Sequence, residues 1–201
     1  IKNWINFNKK KTKIFKNRKI KKIVFGGNIG IGQDMNFIIH LVKVLNNNFT
    51  KFKFYMVGSG RGINEINKLL NKNKLSNFKI INKLEQENYV KYLNTFDLGI
   101  ISLNKNIKYS NFPGKLLTYL ECSLPVLAYC SKKIELFKFI ENKKIGYSID
   151  TYNKDAILHS LKKIFYNQNF NKKNYKSTSQ KVLKEEFSVK KVAQTIMDKI
   201  N

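Results

Sequence analysis

Two glycine clusters and one lysine carry most of the chemistry legible in this chain. Gly26, Gly27, Gly30 and Gly32 follow the apolar run Ile23-Val24-Phe25 and precede an apolar-periodic stretch that opens after Asp34. Glycines at a strand-to-helix turn let the backbone approach a ligand and take positive φ. The free N–H groups at the helix start then form an anion site. Gly58-Ser59-Gly60-Arg61-Gly62 repeats that context behind a second apolar run ending at Val57. Neither loop spells GxGxxG; the first runs GxxGxG from Gly27. The second run ends in Gly58, where an adenosine ribose calls for Asp or Glu, so a nicotinamide dinucleotide is disfavoured. No GxxxxGK[ST] occurs, which excludes a P-loop NTPase.

The sharpest feature is Tyr109-Ser110-Asn111-Phe112-Pro113-Gly114-Lys115. Pro113 reads as the first residue of a helix, which puts Lys115 in the first turn, at the positive end of the helix dipole. A cation there is unfavourable unless an anion sits beside it, and a diphosphate suits. The competing reading is one surface lysine among many. Other chemistry is scarce. His40 and His159 are the only histidines, and Cys122 and Cys130 the only cysteines, none at metal-ligand spacing. His40 reads as a satisfied core or helix-face histidine rather than a ligand. No Ser-His-Asp order, HExxH or CxxC is present. No metal and no cofactor is expected, and two cysteines point to a reducing compartment.

The elements that must position these residues follow from hydrophobic periodicity. Strand signals at 22–26, 52–57, 78–81, 98–102, 125–129 and 146–149 alternate with helical patterns. The helices fall after Asp34, over 63–70, 86–94, from Pro113, near 134–141, over 155–166, about 172–185 and 188–200, with Ser188 as a cap for the last. Six strands alternating with helices give a parallel sheet covered on both faces, a Rossmann-like doubly wound α/β fold. Ligands of such sheets bind beyond the carboxyl ends of the strands, so the loops that matter are 26–33, 58–62, 82–85 and 103–115. Residues 1–22 read as a lysine-rich interdomain linker, 23–170 as the binding domain, and 171–201 as C-terminal helices packing back toward a missing N-terminal domain. The chain starts at Ile1 rather than Met, and reads as a piece of a longer protein.

The net charge is +26, from 39 Lys+Arg against 13 Asp+Glu, yet only Arg18 and Arg61 are arginines. Proteins that read phosphates favour the planar Arg fork. Lys and Asn are abundant while Ala and Arg are scarce, the drift an AT-rich genome produces. A solvated lysine surface is therefore the first reading and contact with an anionic membrane the second. Charge alone favours a nucleic-acid partner, and no aromatic-basic RNP-like motif supports one, so no nucleic acid is expected.

Together these residues resemble the C-terminal domain of family 4 glycosyltransferases of the GT-B architecture, in the variant that builds capsule and O-antigen. Ile1-Lys2-Asn3-Trp4 is similar to the family's "PNW" exit segment, and Gly27-Asn28-Ile29-Gly30 with Gln33-Asp34 to its "GN(I/L)G…Q(D/G)" loop. Val57-Gly58-Ser59-Gly60 is similar to "VGxG". Asn111-Phe112-Pro113-Gly114-Lys115-Leu116-Leu117 with Leu124-Pro125-Val126-Leu127-Ala128 resembles "NFPGK…LPVLA", and Glu186-Phe187-Ser188-Val189 also matches. The resemblance implies a domain that holds a nucleotide-sugar donor. Gly27, Asn28, Gly30, Gln33, Gly58 and Ser59 would approach the sugar and diphosphate. Lys83 and Leu84 would flank the base. Ser110, Asn111, Pro113, Gly114, Lys115 and Thr118 would hold phosphates and ribose, with Lys115 stabilising the departing diphosphate and the acid/base groups in an N-terminal domain outside this chain.

The resemblance also has departures. Many members carry Arg and Lys in the first loop where Asn28 and Gln33 stand. Many carry two glutamates where Ser110 and Thr118 stand. The implied activity is metal-independent, retaining transfer to a glycan or lipid-linked acceptor, in the cytoplasm or at the inner face of the cell membrane. The rivals are a non-catalytic nucleotide-sugar-binding module and a basic nucleic-acid-binding domain. The last helix would cross back to the missing domain, leaving Val189, Val192, Ile196 and Ile200 partly exposed.

Overall fold

The computed structural model describes residues 20–49, 51–106 and 112–200. Its centre is set by strands that bury both faces. β1 (Lys21–Gly26) sends Ile23 and Phe25 to one side of the sheet and Val24 to the other, all three fully buried. β4 (Leu98–Ser102) and β5 (Val126–Tyr129) do the same. Leu98, Ile100, Leu127 and Tyr129 join the Phe25 side, and Ile101, Val126 and Ala128 the Val24 side. Two-sided burial is what makes such strands read as continuous apolar runs.

β2 (Phe52–Val57), β3 (Phe78–Ile81) and β6 (Gly146–Ile149) complete a six-stranded sheet in the order β3-β2-β1-β4-β5-β6. Every neighbouring pair is parallel, with Phe25 opposite both Met56 and Ile100. The expected doubly wound α/β fold is what forms. Its order reverses between β1 and β4, which opens a ligand crevice at their carboxyl ends.

The helices divide between the faces. α1 (Met35–Asn48), α2 (Ile63–Lys72) and α6 (Lys154–Tyr166) cover the Phe25 side through residues such as Phe37, Leu41, Ile66 and Leu161. α3 (Gln86–Leu93), α4 (Gly114–Glu121), α5 (Glu135–Asn142) and α7 (Lys172–Phe187) cover the Val24 side. Asp34 caps α1 as its position predicts, accepting from Phe37 N–H at 2.9 Å.

Several expectations shift in detail. Pro113 is not the first helical residue of α4 but its N-cap, with an extended ψ of 136°, so the helix begins at Gly114. Pro125 precedes β5 rather than opening it, and its carbonyl accepts from Gly99 N–H at 2.9 Å. A short 3₁₀ turn, Gln168–Phe170, joins α6 to α7. α7 is longer than expected and belongs to the core. Tyr175, Leu183 and Phe187 are buried, and Tyr175 Oη donates to Ile145 O at 3.0 Å. α8 (Val189–Ile200) leaves Val189 exposed, as expected of its apolar side, and Met197 as well, but Val192, expected to be partly exposed, is buried. Ser188 caps this helix, Oγ accepting from Lys191 N–H at 3.4 Å. Ile1–Trp4 and nearly all of the 1–22 linker lie outside the described residues. Among those described, no helix is long and apolar enough to cross a membrane.

Candidate functional site

β1 and β2 stay paired beyond their last residues. Gly27 N–H donates to Val57 O at 2.9 Å, Ile29 N–H to Ser59 O at 2.9 Å, and Gly62 N–H to Ile29 O at 3.1 Å. The first two loops are thus one surface. Contact this close requires glycine on the β2 side: a Cβ on Gly58 would lie 1.9 Å from Gly27 O. Gly27 itself has φ 103°, a region that side chains resist. The third loop joins through Asn104 N–H, which donates to Gly32 O at 3.1 Å, and Ser102 Oγ, which donates to Asp34 O at 2.7 Å. Gly27, Gly30, Gly58 and Ser59 therefore stand together, and the exposed Asn28 lies against Gly30 and Gly60.

Lys115 reaches into this surface from the start of α4. Its Nζ donates to Gln33 Oε1 at 2.8 Å and stands 3.8 Å from the centre of the Phe25 ring. Its Cε lies 3.7 Å from where a Cβ on Gly27 would sit. No carboxylate among the described residues is paired with it. Burial without a counter-charge disfavours the ammonium and lowers its pKa to about 7. The surrounding groups stabilise a cation by an aromatic face and a neutral carbonyl only. An anion arriving at the loops would supply the missing charge.

The depressed pKa has a signed consequence for stability. The unfolded chain holds this proton up to the ordinary lysine value of 10.5, and the folded chain releases it near 7. The penalty of burying the ammonium is complete below the folded value and disappears as pH rises toward the unfolded one. The ligand-free domain therefore gains stability relative to Lys115→Met across that window. Melting temperatures of the two proteins are expected to converge from pH 7 to pH 10. A constant difference would mean that Lys115 keeps an ordinary pKa.

Two tyrosines that sequence reasoning missed support the turn from behind. Tyr119 Oη accepts from Gly26 N–H at 2.8 Å and donates to Ile100 O at 3.2 Å. It thereby holds β1 and β4 at the switch point. Tyr89 Oη lies buried against Gly26 with no hydrogen-bond partner among the described residues. Burial raises the pKa of both phenols, which keeps them neutral. Phe25 was legible only as a core residue. Its second use, under an ammonium, leaves no trace in strand alternation.

The remaining candidates stand apart or unengaged. Lys83 and Leu84 follow β3, which β2 separates from β1. Lys83 is exposed, and Leu84 packs partly on the core. Gly114 faces open space, whereas Thr118 Oγ1 donates back to Gly114 O at 3.4 Å. Pro113 sets the angle at which α4 starts. Ser110 and Asn111 lie outside the described residues. His40 is satisfied, Nε2 standing 2.7 Å from Tyr152 O. Among the described residues no cluster of three His, Cys, Asp or Glu is placed to hold a metal.

A parallel sheet whose switch point carries paired glycine loops and a half-buried lysine with no anionic partner among the described residues defines a ligand-binding α/β domain. The family model "Glycosyl transferases group 1" matches residues 6–181, and the chain belongs to that family. Among curated proteins none matches significantly. The fold is shared with solved glycosyltransferases. A point mutant of S. aureus TarM, crystallised with fondaparinux, α-GlcNAc-glycerol and UDP, superposes with TM-score 0.74 at 16% identity, covering 97% of this chain and 38% of that one. Anabaena Alr3699/HepE, in complex with UDP-glucose, gives TM-score 0.69 at 13% identity over 90% of this chain and 49% of that one. The C-terminal domain of LpcC from Francisella tularensis, a group 1 glycosyl transferase, gives TM-score 0.66 at 14% identity over 89% of this chain and 96% of that one. The chain thus spans less than half the length of the first two and nearly all of the separately solved C-terminal domain.

Proposed function

We propose that this chain is the donor-binding half of a GT-B glycosyltransferase of the family 4 type. It holds a nucleotide-sugar for transfer to a glycan or lipid-linked acceptor in assembly of a capsule or O-antigen-like polysaccharide. The observation that carries the reading is Lys115, half-buried beside the first glycine loop with no anionic partner among the described residues. Charge develops on the departing diphosphate as the sugar bond breaks. Lys115 and the first-turn N–H groups of α4 stand where they would stabilise it, without reorganisation at the moment of reaction. Acceptor binding and proton transfer fall to a second domain, and transfer is retaining and needs no metal ion.

A screen of UDP, GDP, ADP and CDP by thermal shift tests this. At least one nucleoside diphosphate should raise the melting temperature at millimolar concentration, and failure of all four would overturn the reading. UDP is the first choice, because two of the similar structures contain it or its glucose conjugate. Thr118, at a position where many members carry glutamate, favours a second reading, a module that binds the donor without catalysis. Sugar transfer by the chain joined to an N-terminal domain would exclude it.

The lysine-rich surface fits a place at the inner face of a membrane, where each Lys near anionic lipid contributes about 1 kcal/mol. Binding to phosphatidylserine vesicles should fall steeply between low and physiological salt. Tight binding to RNA but not to vesicles would reverse the assignment.

A further inference from the structure

We infer that Gln33 is a positioning residue: it holds the Lys115 ammonium over the Phe25 ring with a neutral acceptor, and acts on the bound diphosphate only through Lys115. This rests on the donor-site reading above and goes beyond it, because the family resemblance casts Gln33 as a direct donor ligand. An ammonium has three donors and no acceptor, so the amide must turn its oxygen toward Lys115. The observed contact is Nζ to Oε1 at 2.8 Å. Gln33 is itself held, its N–H donating to Gly30 O at 2.9 Å within the first loop. On the other side Phe25, fully buried in β1, lies 3.8 Å from Nζ.

The neutrality of this cage is its useful property. Glutamate has the same reach as glutamine, but would neutralise the cation in advance and repel a diphosphate. Among the described residues, the groups against the end of the Lys115 side chain are Phe25 from β1 and Gln33 and Gly27 from the loop, none of them ionisable. Asp34, the neighbouring carboxylate, is committed elsewhere: one oxygen accepts from both Phe37 N–H at 2.9 Å and Tyr152 Oη at 2.8 Å. A lysine fixed by a neutral acceptor is aimed, and no carboxylate among the described residues cancels the charge it takes up when an anion binds beside it.

A double-mutant cycle tests the inference. Gln33→Leu and Gln33→Glu are each made in the natural chain and in Lys115→Met, folding is checked by melting temperature, and affinities for pyrophosphate and UDP are measured by calorimetry. Gln33→Leu should weaken both ligands about 3- to 10-fold when Lys115 is present and leave them unchanged when it is absent. Gln33→Glu should cost more than Gln33→Leu when Lys115 is present, and the part of its loss that is direct repulsion of the diphosphate should persist in Lys115→Met, so the test of coupling is read from Gln33→Leu. Equal losses in both backgrounds would show that Gln33 touches the ligand itself, and no loss in either would remove its role; each result overturns the inference. A second readout needs no ligand. The Lys115 ¹³Cε titration should move to lower pH in Gln33→Leu and to higher pH in Gln33→Glu, because the acceptor bonds the ammonium more strongly than the neutral amine. A midpoint unmoved in both variants overturns the inference while leaving the donor site intact. If the natural chain binds no nucleoside diphosphate but the titration responds, the donor reading fails and the Gln33–Lys115 link stands.

Discussion

Replacing Lys115 with Met lowers affinity for UDP by about 10- to 150-fold, the factor equivalent to ~1.5–3 kcal/mol for a hydrogen bond to a charged group. The expectation follows from what the substitution keeps. Met fills the space over Phe25 and can lie against the ring, so the core beneath β1 is unchanged and only the ammonium is lost. The loss should shrink in high salt and should be nearly the same for GDP and UDP, since Lys115 addresses phosphate rather than base. Lys115→Arg should recover part of the affinity, because the charge returns but the planar fork does not fit a cage built for a point cation. Calorimetric titration settles the matter. An affinity unchanged in Lys115→Met would remove Lys115 from the site.

The second large effect is on folding. Gly58→Ala places a Cβ 1.9 Å from Gly27 O and 2.9 Å from Gly27 C. Both are backbone atoms at the end of a central strand pair, so they cannot swing aside. The ends of β1 and β2 must part, losing the Gly27–Val57 and Ile29–Ser59 hydrogen bonds. A cost of about 3 kcal/mol is expected, which lowers the melting temperature by about 6–12 °C in a domain of this size. Gly114→Ala is the control. Nothing lies within 4 Å of its Cβ, and alanine is the better helix former by about 1 kcal/mol, so its melting temperature should rise slightly. Equal melting of Gly58→Ala and the natural chain would mean that the loops are not packed as described.

Much of the fold was legible because the chain buries both faces of β1, β4 and β5. Ile23-Val24-Phe25 and Leu98-Gly99-Ile100-Ile101 are uninterrupted apolar runs, and Asp34 and Ser188 mark helix starts by the chemistry of their side chains. The 3₁₀ turn and the deep seating of α7 were not legible. Both depend on Tyr175 and Phe187 meeting a surface made by residues distant in sequence, and the weak amphipathicity of α7 does not announce it. The site was legible in part. Glycine spacing located the loops, and the flanking Pro113-Gly114 singled out Lys115. The contacts that give Lys115 its character lie across the fold: Phe25 reads as an ordinary strand residue, and Gln33 sits 82 positions away. Tyr119 looks like one more apolar helix residue, and nothing local reveals that its hydroxyl bonds Gly26. Spacing describes what a segment can do alone; these contacts exist only once β1 and β4 are adjacent.

The neutral cage around Lys115 has a practical corollary for covalent chemistry. An ordinary lysine with pKa 10.4 is a free amine about one part in a thousand at pH 7.5, whereas Lys115, with its value near 7, is mostly unprotonated there. That marks Lys115 as a nucleophile at neutral pH. A limiting dose of an activated ester or an aldehyde with borohydride should modify Lys115 first, as peptide mass spectrometry would show. Saturating nucleoside diphosphate should protect it, by occupying the approach and by restoring the proton. Random modification across the surface lysines would argue against an unusual amine. Selective capture would give an affinity tag for the donor pocket, and a starting point for inhibitors that anchor on an amine instead of mimicking a sugar.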